Sequence, residues 1–486
     1  MKARLSPWRG TLIGAALVLG GCGDGDTELG TASLAGKNVV VVLLDAVATD
    51  HLAFYGYDRA TTPHLAEIAA EGWTFTDVTA QAPYTIASVA SLMTGEAVDL
   101  HGVTEAGEVA SEELPMLAER FRAAGYRTAA FSANAHVQRG FGFGRGFDTF
   151  ERYRPDLSLH HEVPRDQRDA VQAFFASAAE DPTPFFAYVH LLPPHAPYDP
   201  PEPARSAFAG EWIGTAFDRA GGLPNLMPLS HGARTPDATE RQAIEDLYDA
   251  SLLHVDGVVR NLDLALDELG LADDTLVVVL SDHGEAFGQH GLWQHARTVY
   301  DEMVRVPLVM RLPTDAAWPA SGVVDEPVAL SDLAPTLMEL CDLGGRAPAS
   351  STSLVPLLAG APSVERAHPI LTRTAGPGEH VAIRFGDFKL IHETRSGGPW
   401  HLFDLAADPG EQHPIHSAKA APNPRLERAF RELRGLLMAT RGELIAAART
   451  TTSVAVDAAT STDLGVIGYG DGGGGLTPAD STPIGD

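Results

Sequence analysis

Cysteine is nearly missing from this chain: Cys22 and Cys341 are the two among 486 residues. With one of them in the leader described below, no intramolecular disulfide framework can hold the fold. Cys341, inside "LMELCDL", reads as a small core residue with a free thiol. Positive charge is scarce too. Lys and Arg number 35 against 64 Asp and Glu, a formal net charge of −29. Nucleic-acid binding needs a basic footprint that neutralises phosphates, so that class is excluded. An anionic substrate would need locally concentrated positive charge. After the first twenty or so residues no apolar run approaches the roughly 20 residues that span a bilayer, and no internal repeat is present. What remains is ordinary for a globular protein but too long for one small core. One large domain with a lesser one attached is expected, a size that suits an enzyme.

The start departs from this pattern. "MKARLSPWRG" supplies Lys2, Arg4 and Arg9, and "TLIGAALVLGGC" follows with an apolar stretch ending in small residues. That is the layout of an export signal over residues 1–22. Leu19-Gly20-Gly21-Cys22 resembles a bacterial lipobox, which implies lipidation of Cys22 and a lipoprotein anchored to a membrane of the cell envelope, facing the periplasm or the cell surface. A plain cleaved signal with an incidental cysteine is the other reading. Residues 23–36, "GDGDTELGTASLAG", are small, polar and glycine-rich and read as a flexible tether.

From Lys37 onward, continuous apolar β-branched runs alternate with amphipathic stretches: "NVVVVLLD", "LPMLAERFRAAG", "YRTAAFSAN", "TPFFAYVHLL", "DTLVVVLSDHGE". Strand–helix alternation with strands apolar on both faces predicts an α/β fold, a mostly parallel sheet flanked by helices, over residues 37–365. The shorter alternating runs "HVAIRFGDFKLIHE" and "PWHLFDL" predict a small antiparallel sheet with the helix "RLERAFRELRGLLMATRGELIAAAR" packed on it, a C-terminal α+β subdomain over 366–449. Residues 450–486 lose periodicity and read as a mostly disordered tail. The insertion 202–235 has turn chemistry without periodicity and reads as a lid over a pocket. "RGFGFGRGFDTF" lacks the lysine and the frame of a P-loop and reads as a turn-rich surface segment, with Asn134 just upstream a weak pocket contributor.

In open α/β sheets ligands bind outside the carboxyl ends of the strands. The apolar runs deliver Asp45, then Asp282 and His283, and His190 with His195 just beyond. Carboxylates and imidazoles converging on one edge repel and desolvate unless paired, and a divalent cation is the usual partner. An aspartate after a strand can also cap the next helix. In "APYTIASVASLMTG", Thr85 stands at the start of a short helix closed by Gly95, where backbone N–H groups favour an anion. It is either a metal-activated nucleophile or a plain N-cap.

Taken in order, "VVLLDAVATDHLAFYGYDRATTPHL", "YTIASVASLMTGEAVDLHGV", "VHLLPPHAPYDPP", "LSDHGEAFGQHGLWQHARTVYDE", "FGDFKLI" and "WHLFDLAADPGEQ" resemble the sulfatase family of the alkaline phosphatase superfamily across roughly residues 37–470. The resemblance implies an alkaline phosphatase-like fold, with Asp45, Asp282 and His283 as metal ligands beside Thr85. It also implies Thr85 as nucleophile, His195 and His290 lining the anion pocket, and His295 where many members have a lysine that grips the ester oxyanion. His190 is a further substrate-binding candidate. Departures bear on the reaction. Sulfatases carry Cys or Ser at the position of Thr85, in a Cys-x-Pro-x-Arg signature that is oxidised to formylglycine; here the stretch is Thr85-Ile86-Ala87-Ser88-Val89, so no formylglycine is expected. Position 46 is alanine where a second aspartate is usual. One divalent ion, calcium, zinc or manganese, is the expected cofactor.

These readings predict a metal-dependent hydrolase of sulfate, phosphate or phosphonate esters, acting on an anionic small molecule, glycan or lipid headgroup. Threonine has no geminal hydroxyl with which to expel sulfate by elimination, which favours phosphorus esters. The alternatives are a phosphoryl or sulfuryl transferase, and an inactive lipid-anchored binding protein. His161, His254 and His416 read as packed or surface imidazoles.

Overall fold

The computed structural model describes residues 33–154 and 161–468, apart from positions 315, 317, 367, 377 and 396. The leader, Cys22 and most of the tether lie outside them.

The main sheet is ordered Gly322–Val324, Trp73–Thr79, Arg305–Arg311, Thr275–Ser281, Asn38–Asp45, Phe185–Pro194, Arg127–Ser132, Thr149–Arg152, with Val328–Ala329 also pairing to Trp73–Thr79. The five strands from Thr275–Ser281 to Thr149–Arg152 are parallel, whereas Arg305–Arg311 runs antiparallel to both its neighbours. The strand Asn38–Asp45 shows why a continuous apolar run is needed. Val39, Val41 and Leu43 pack into one core cluster with Ile86, Val89 and Leu337, while Val40, Val42 and Leu44 pack into another with Ile244, Leu247 and Val255. Helices cover both faces, so neither set of alternate residues can be polar. Fully burying each such Val or Leu contributes about 1.5–3 kcal/mol.

Behind this sheet lies the predicted smaller unit. Strands Ile370–Arg373, His380–Phe385, Phe388–Glu393 and Trp400–Asp404 form an antiparallel sheet. The helix Pro424–Ala447 buries Leu426, Phe430, Leu433 and Leu437 against Leu371, Val381, Ile383 and Leu390. Ala97, Leu100 and Leu114 of the large unit join the same cluster, which fastens the two together.

Four expectations are revised. The first concerns the tether: its end is packed, since Leu34 is buried and its N–H donates to the Leu340 carbonyl at 2.6 Å. A single leucine in a polar run gives no periodic signal. The tail is ordered as far as residue 468: Thr452–Ser453 pairs with Glu108–Val109. The helix Ala458–Val466, capped by Asp457 on Thr460 N–H at 2.7 Å, then brings Leu464 and Ile467 against Ala133, Ala135 and Leu192. Asp463 on the same helix pairs with Arg152 and Arg154, so scattered contacts rather than a repeating stripe hold it. The insertion 202–235 contains helices Ala204–Ala209 and Leu223–Ser230, with Arg205 paired to Asp199 and Asp218. Lastly, "RGFGFGRGF" is not a surface segment, because Phe141, Phe143 and Phe147 are buried in the core. The glycines between them serve backbone geometry. Gly146 has φ +84°, and a Cβ there would lie 2.1 Å from the Glu119 nitrogen. Gly146→Ala is therefore expected to destabilise the fold by about 2–4 kcal/mol, read as a lower denaturant midpoint at unchanged m-value.

Three histidines are held neutral. Burial lowers His101 to about 3, and His161 and His254 to about 4. Each recovers an ordinary value near 6.5 on unfolding, so at lower pH the unfolded chain binds more protons than the fold. Their contribution is intact above about pH 7. It falls as pH drops below 6.5 towards 4, by up to about 1.4 kcal/mol per pH unit for each histidine. Denaturant midpoints measured from pH 7.5 to 5 are expected to decline, and less steeply in His101→Gln.

Candidate active site

The central strands bring the acidic residues together. Leu44 pairs with Ser281, so Asp45 and Asp282 are successive residues at the carboxyl ends of adjacent parallel strands, about 4.8 Å apart. On the other side Leu43 pairs with His190, which in turn pairs with Ser132 of the next strand. All of Asp45, His190, Asp282 and His283 are fully buried. His190 Nε2 lies 2.9 Å from Asp45 Oδ2, and its Nδ1 3.0 Å from the Tyr188 hydroxyl. With the tyrosine donating to Nδ1, Nε2–H donates to Asp45 and orients it. His283 is oriented in the opposite sense. Its Nδ1–H donates to the Gly284 carbonyl at 2.9 Å, which leaves the Nε2 lone pair facing Asp45 Oδ1 at 3.5 Å and Asp282 Oδ2 at 3.6 Å.

Those two oxygens, Asp45 Oδ1 and Asp282 Oδ2, are buried with no hydrogen-bond donor. Orphan carboxylate oxygens sharing a dry pocket with an imidazole lone pair fit a divalent cation. Ligand atoms of Asp45, His190 and Asp282 also lie within 4.8 Å of one another. The crowding pushes the two carboxyls in opposite directions. For Asp45, burial acts upward but is outweighed by His195, His190 and His283, so the carboxyl stays well below the usual range. Asp282 is raised, first by burial and then by the neighbouring Asp45 charge. Neither aspartate caps a helix.

Thr85 faces this group. It is the first residue of the helix Thr85–Thr94, whose N-cap is Tyr84, so the plain N-cap reading does not hold. Its Oγ1 is 3.4 Å from His283 Nε2 and accepts from Asn134 Nδ2 at 3.5 Å. Asn134 Nδ2 also donates to Asp45 Oδ2 at 2.5 Å, and its Oδ1 is occupied by the His136 N–H at 2.7 Å, which fixes the amide orientation. Ser88, one turn into the helix, donates to the Asp282 carbonyl at 2.6 Å and pins the helix to the strand end. Ala46, directly after Asp45, has φ 62°, and Gln294 and Ala296 flank His295 at φ 60° and 71°. Left-handed non-glycine residues cost about 1 kcal/mol or more each and cluster at functional sites.

A second layer surrounds the threonine. The His195 ring lies 4.9 Å and the His283 ring 4.3 Å from that of His295. Both His195 and His295 are lowered by burial. His295 Nδ1 is 3.0 Å from Glu285 Oε1, and Glu285 Oε2 accepts from the Tyr198 hydroxyl at 2.8 Å. Burial raises Glu285 to about 7. The sequence reading missed Glu285 and Tyr198. Their signals were present, a glutamate three residues after Asp282 and a tyrosine three after His195, but no periodicity separates them from neighbouring residues.

Two predicted residues play other parts. His190 orients Asp45, with both of its ring nitrogens taken up by Tyr188 and Asp45. His290 is turned away from the anion pocket: Nδ1 meets Glu302 Oε1 at 2.8 Å, Nε2–H donates to the Glu411 carbonyl at 2.9 Å, and the ring stacks on Tyr300 at 3.9 Å. It joins the segment after His283 to the C-terminal subdomain. His254 accepts from the Val163 N–H at 3.2 Å, the packed role expected.

A parallel sheet carrying a buried carboxylate–imidazole group under a helix-borne hydroxyl defines an ester hydrolase of the alkaline phosphatase-like class. Residues 37–343 match the Sulfatase family model, and 288–434 match the model for the C-terminal region of N-sulphoglucosamine sulphohydrolase. The chain belongs to the sulfatase family and is a sulfatase-like ester hydrolase. It is 26% identical over 409 residues to an ulvan-active sulfatase of Formosa agariphila, covering 77% of this chain and 76% of that protein. It is 24% identical over 489 residues to an N-acetylglucosamine-6-O-sulfatase of Bacteroides thetaiotaomicron, covering 82% and 86%. The fold superposes on a phosphonate monoester hydrolase of Agrobacterium radiobacter with a TM-score of 0.67 at 21% identity, covering 86% of this chain and 97% of that one.

Proposed function

We propose that the chain cleaves sulfate or phosphate/phosphonate esters through Thr85 as nucleophile, with one divalent ion held by Asp45, Asp282 and His283. The observation that carries this reading is the Thr85 hydroxyl at a helix N-terminus, 3.4 Å from His283 Nε2 and beside two orphan carboxylate oxygens. A bound divalent ion lowers the pKa of a coordinated hydroxyl and offsets charge on the transferring group.

The chain's own residues do the rest. The start of the helix Thr85–Thr94 presents backbone N–H groups to the anion, and Ser88 fixes that helix in place. Thr85 Oγ1 gives up its proton to solvent and forms the bond to sulfur or phosphorus as the bond to the alcohol oxygen breaks, and the Glu285–His295 pair supplies the proton that the leaving oxygen takes. Water then attacks the group on Thr85: its hydroxide goes to sulfur or phosphorus, its proton returns to the Glu285–His295 pair, and the departing Thr85 Oγ1 recovers a proton from solvent. Without a geminal hydroxyl that release is easier for phosphoryl than for sulfuryl, which favours phosphorus esters. Cys22 is the lipidation site, and the enzyme acts on the outer side of a bacterial membrane. Among the described residues no helix is long and apolar enough to cross it.

The test is initial rates of purified residues 23–486 on aryl sulfate, phosphate monoester, phosphodiester and phosphonate, with calcium, zinc or manganese added in turn. Metal-dependent turnover of at least one ester is expected. Metal binding with silence on every ester would favour the inactive binding protein instead.

A further inference from the structure

One guanidinium close after His295 has no acidic partner among the described residues. Arg59, Arg145, Arg205, Arg311, Arg366 and Arg441 each pair with Asp or Glu, as an acid-rich chain allows. Arg297 pairs with none. Its Nε donates to Ser230 Oγ at 3.4 Å, while its Nη2 is buried with no hydrogen-bond acceptor. Burial lowers its pKa, and no carboxylate stands near enough to counter that. A buried charged donor without an acceptor costs about 1–3 kcal/mol or more, so folding alone does not favour it there.

Its place in the fold gives the cost a purpose. Arg297 is two residues beyond His295, so their Cα atoms are at most about 7 Å apart. The intervening Ala296 donates its N–H to the Pro83 carbonyl at 2.9 Å, tying this segment to the chain just before Thr85. On the other side the Arg297 carbonyl accepts from His380 Nδ1 at 3.1 Å, at the start of a strand of the small sheet. Ser230 ends the helix Leu223–Ser230 of the insertion. The guanidinium therefore stands where catalytic loop, insertion and small sheet meet.

We infer that Arg297, with Ser230, is the binding site for a second anionic group on the alcohol part of the substrate, a carboxylate or a further sulfate or phosphate near the ester that is cleaved. The planar fork matches such oxyanions in bidentate fashion, and binding one satisfies Nη2. It also supplies the local positive charge that a chain of net charge −29 must offer an anionic substrate. The inference rests on the ester-cleaving reading above and narrows its substrates to those carrying a second anion.

The experiment compares wild type, Arg297→Ala and Arg297→Lys on three aryl esters that differ only in the alcohol: plain, with a carboxymethyl arm, and with a sulfonate arm. Arg297→Ala is expected to leave kcat/KM on the plain ester within about 2-fold and to lower it on an armed ester about 10- to 100-fold, mainly through KM. Arg297→Lys is expected to recover only part, because an ammonium lacks the fork. A larger loss with the carboxymethyl arm identifies a carboxylate, and a larger loss with the sulfonate arm a sulfate or phosphate. Equal loss on all three esters, or loss on none, overturns the proposal. Absence of turnover by wild type would count against the ester-cleaving reading alone. Thermal shifts with the same compounds then decide: extra stabilisation by an armed ester that disappears in Arg297→Ala supports the site, and equal shifts in both proteins overturn it. If the alanine variant does not fold, Arg297→Gln, closer in shape, gives the same comparison.

Discussion

Thr85→Ala is expected to remove ester turnover, lowering kcat by about 10⁴-fold or more, equivalent to about 5 kcal/mol of barrier. The size follows from the role proposed for the hydroxyl: in the proposed reaction it is the atom that forms the new bond, and no neighbouring group stands in the same place. Asn134 is an amide already committed to Asp45 and His136, and Ser88 donates to the Asp282 carbonyl. Folding should be little affected. Thr85 is not an N-cap, and its side chain is held by two long contacts of 3.4 and 3.5 Å. Equal melting temperatures with lost turnover on every ester would be the supporting pattern, measured by calorimetry and initial rates on the same preparations. Residual turnover within tenfold of wild type would show that another group attacks.

Asp45→Asn carries the second large effect. Asp45 is the hub of the site, with Oδ2 bonded to Asn134 and His190 and Oδ1 facing His283. The amide keeps the shape but loses the negative charge that a cation requires, and it places an NH₂ group against donors. Metal content after dialysis is expected to fall from about one ion per chain to near none, and kcat/KM to drop by about 10³-fold or more. Direct metal analysis separates this from a purely catalytic role. Full metal retention with lost activity would move Asp45 out of the ligand set.

How far these residues can be read from sequence depends on how strongly each is tied to a periodic element. Asp45 and Asp282 are legible because a buried parallel strand must be apolar on both faces, so its first polar residue marks the carboxyl end where ligands bind. Thr85 is legible because Gly95, at φ 72°, closes the helix it opens. Glu285 and Tyr198 lie on loops whose course is set by tertiary contacts, such as the hydrogen bond from Tyr198 to Glu285 across 87 residues of sequence. His290 shows the converse. Its place in a family motif suggested the anion pocket, yet a left-handed backbone at φ 51° turns the ring towards Glu302 and Glu411. The segment with Phe141, Phe143 and Phe147 failed for a related reason, since glycine-rich spacing resembles a surface turn while its aromatic side chains fill a core cluster. Order in residues 450–468 rests on a two-residue strand pairing, on Leu464 and Ile467, and on Asp463 paired with Arg152 and Arg154, contacts that make no periodic pattern.

The most direct test of the central claim is to mix wild-type enzyme with excess of the ester it turns over fastest, quench in acid within the first turnovers, and measure the mass of the protein and of its peptides. The account predicts a species heavier by one phosphoryl or sulfuryl group, mapped to Thr85 and absent from Thr85→Ala. Turnover with no such species at any quench time, or an adduct on a different residue, would contradict it.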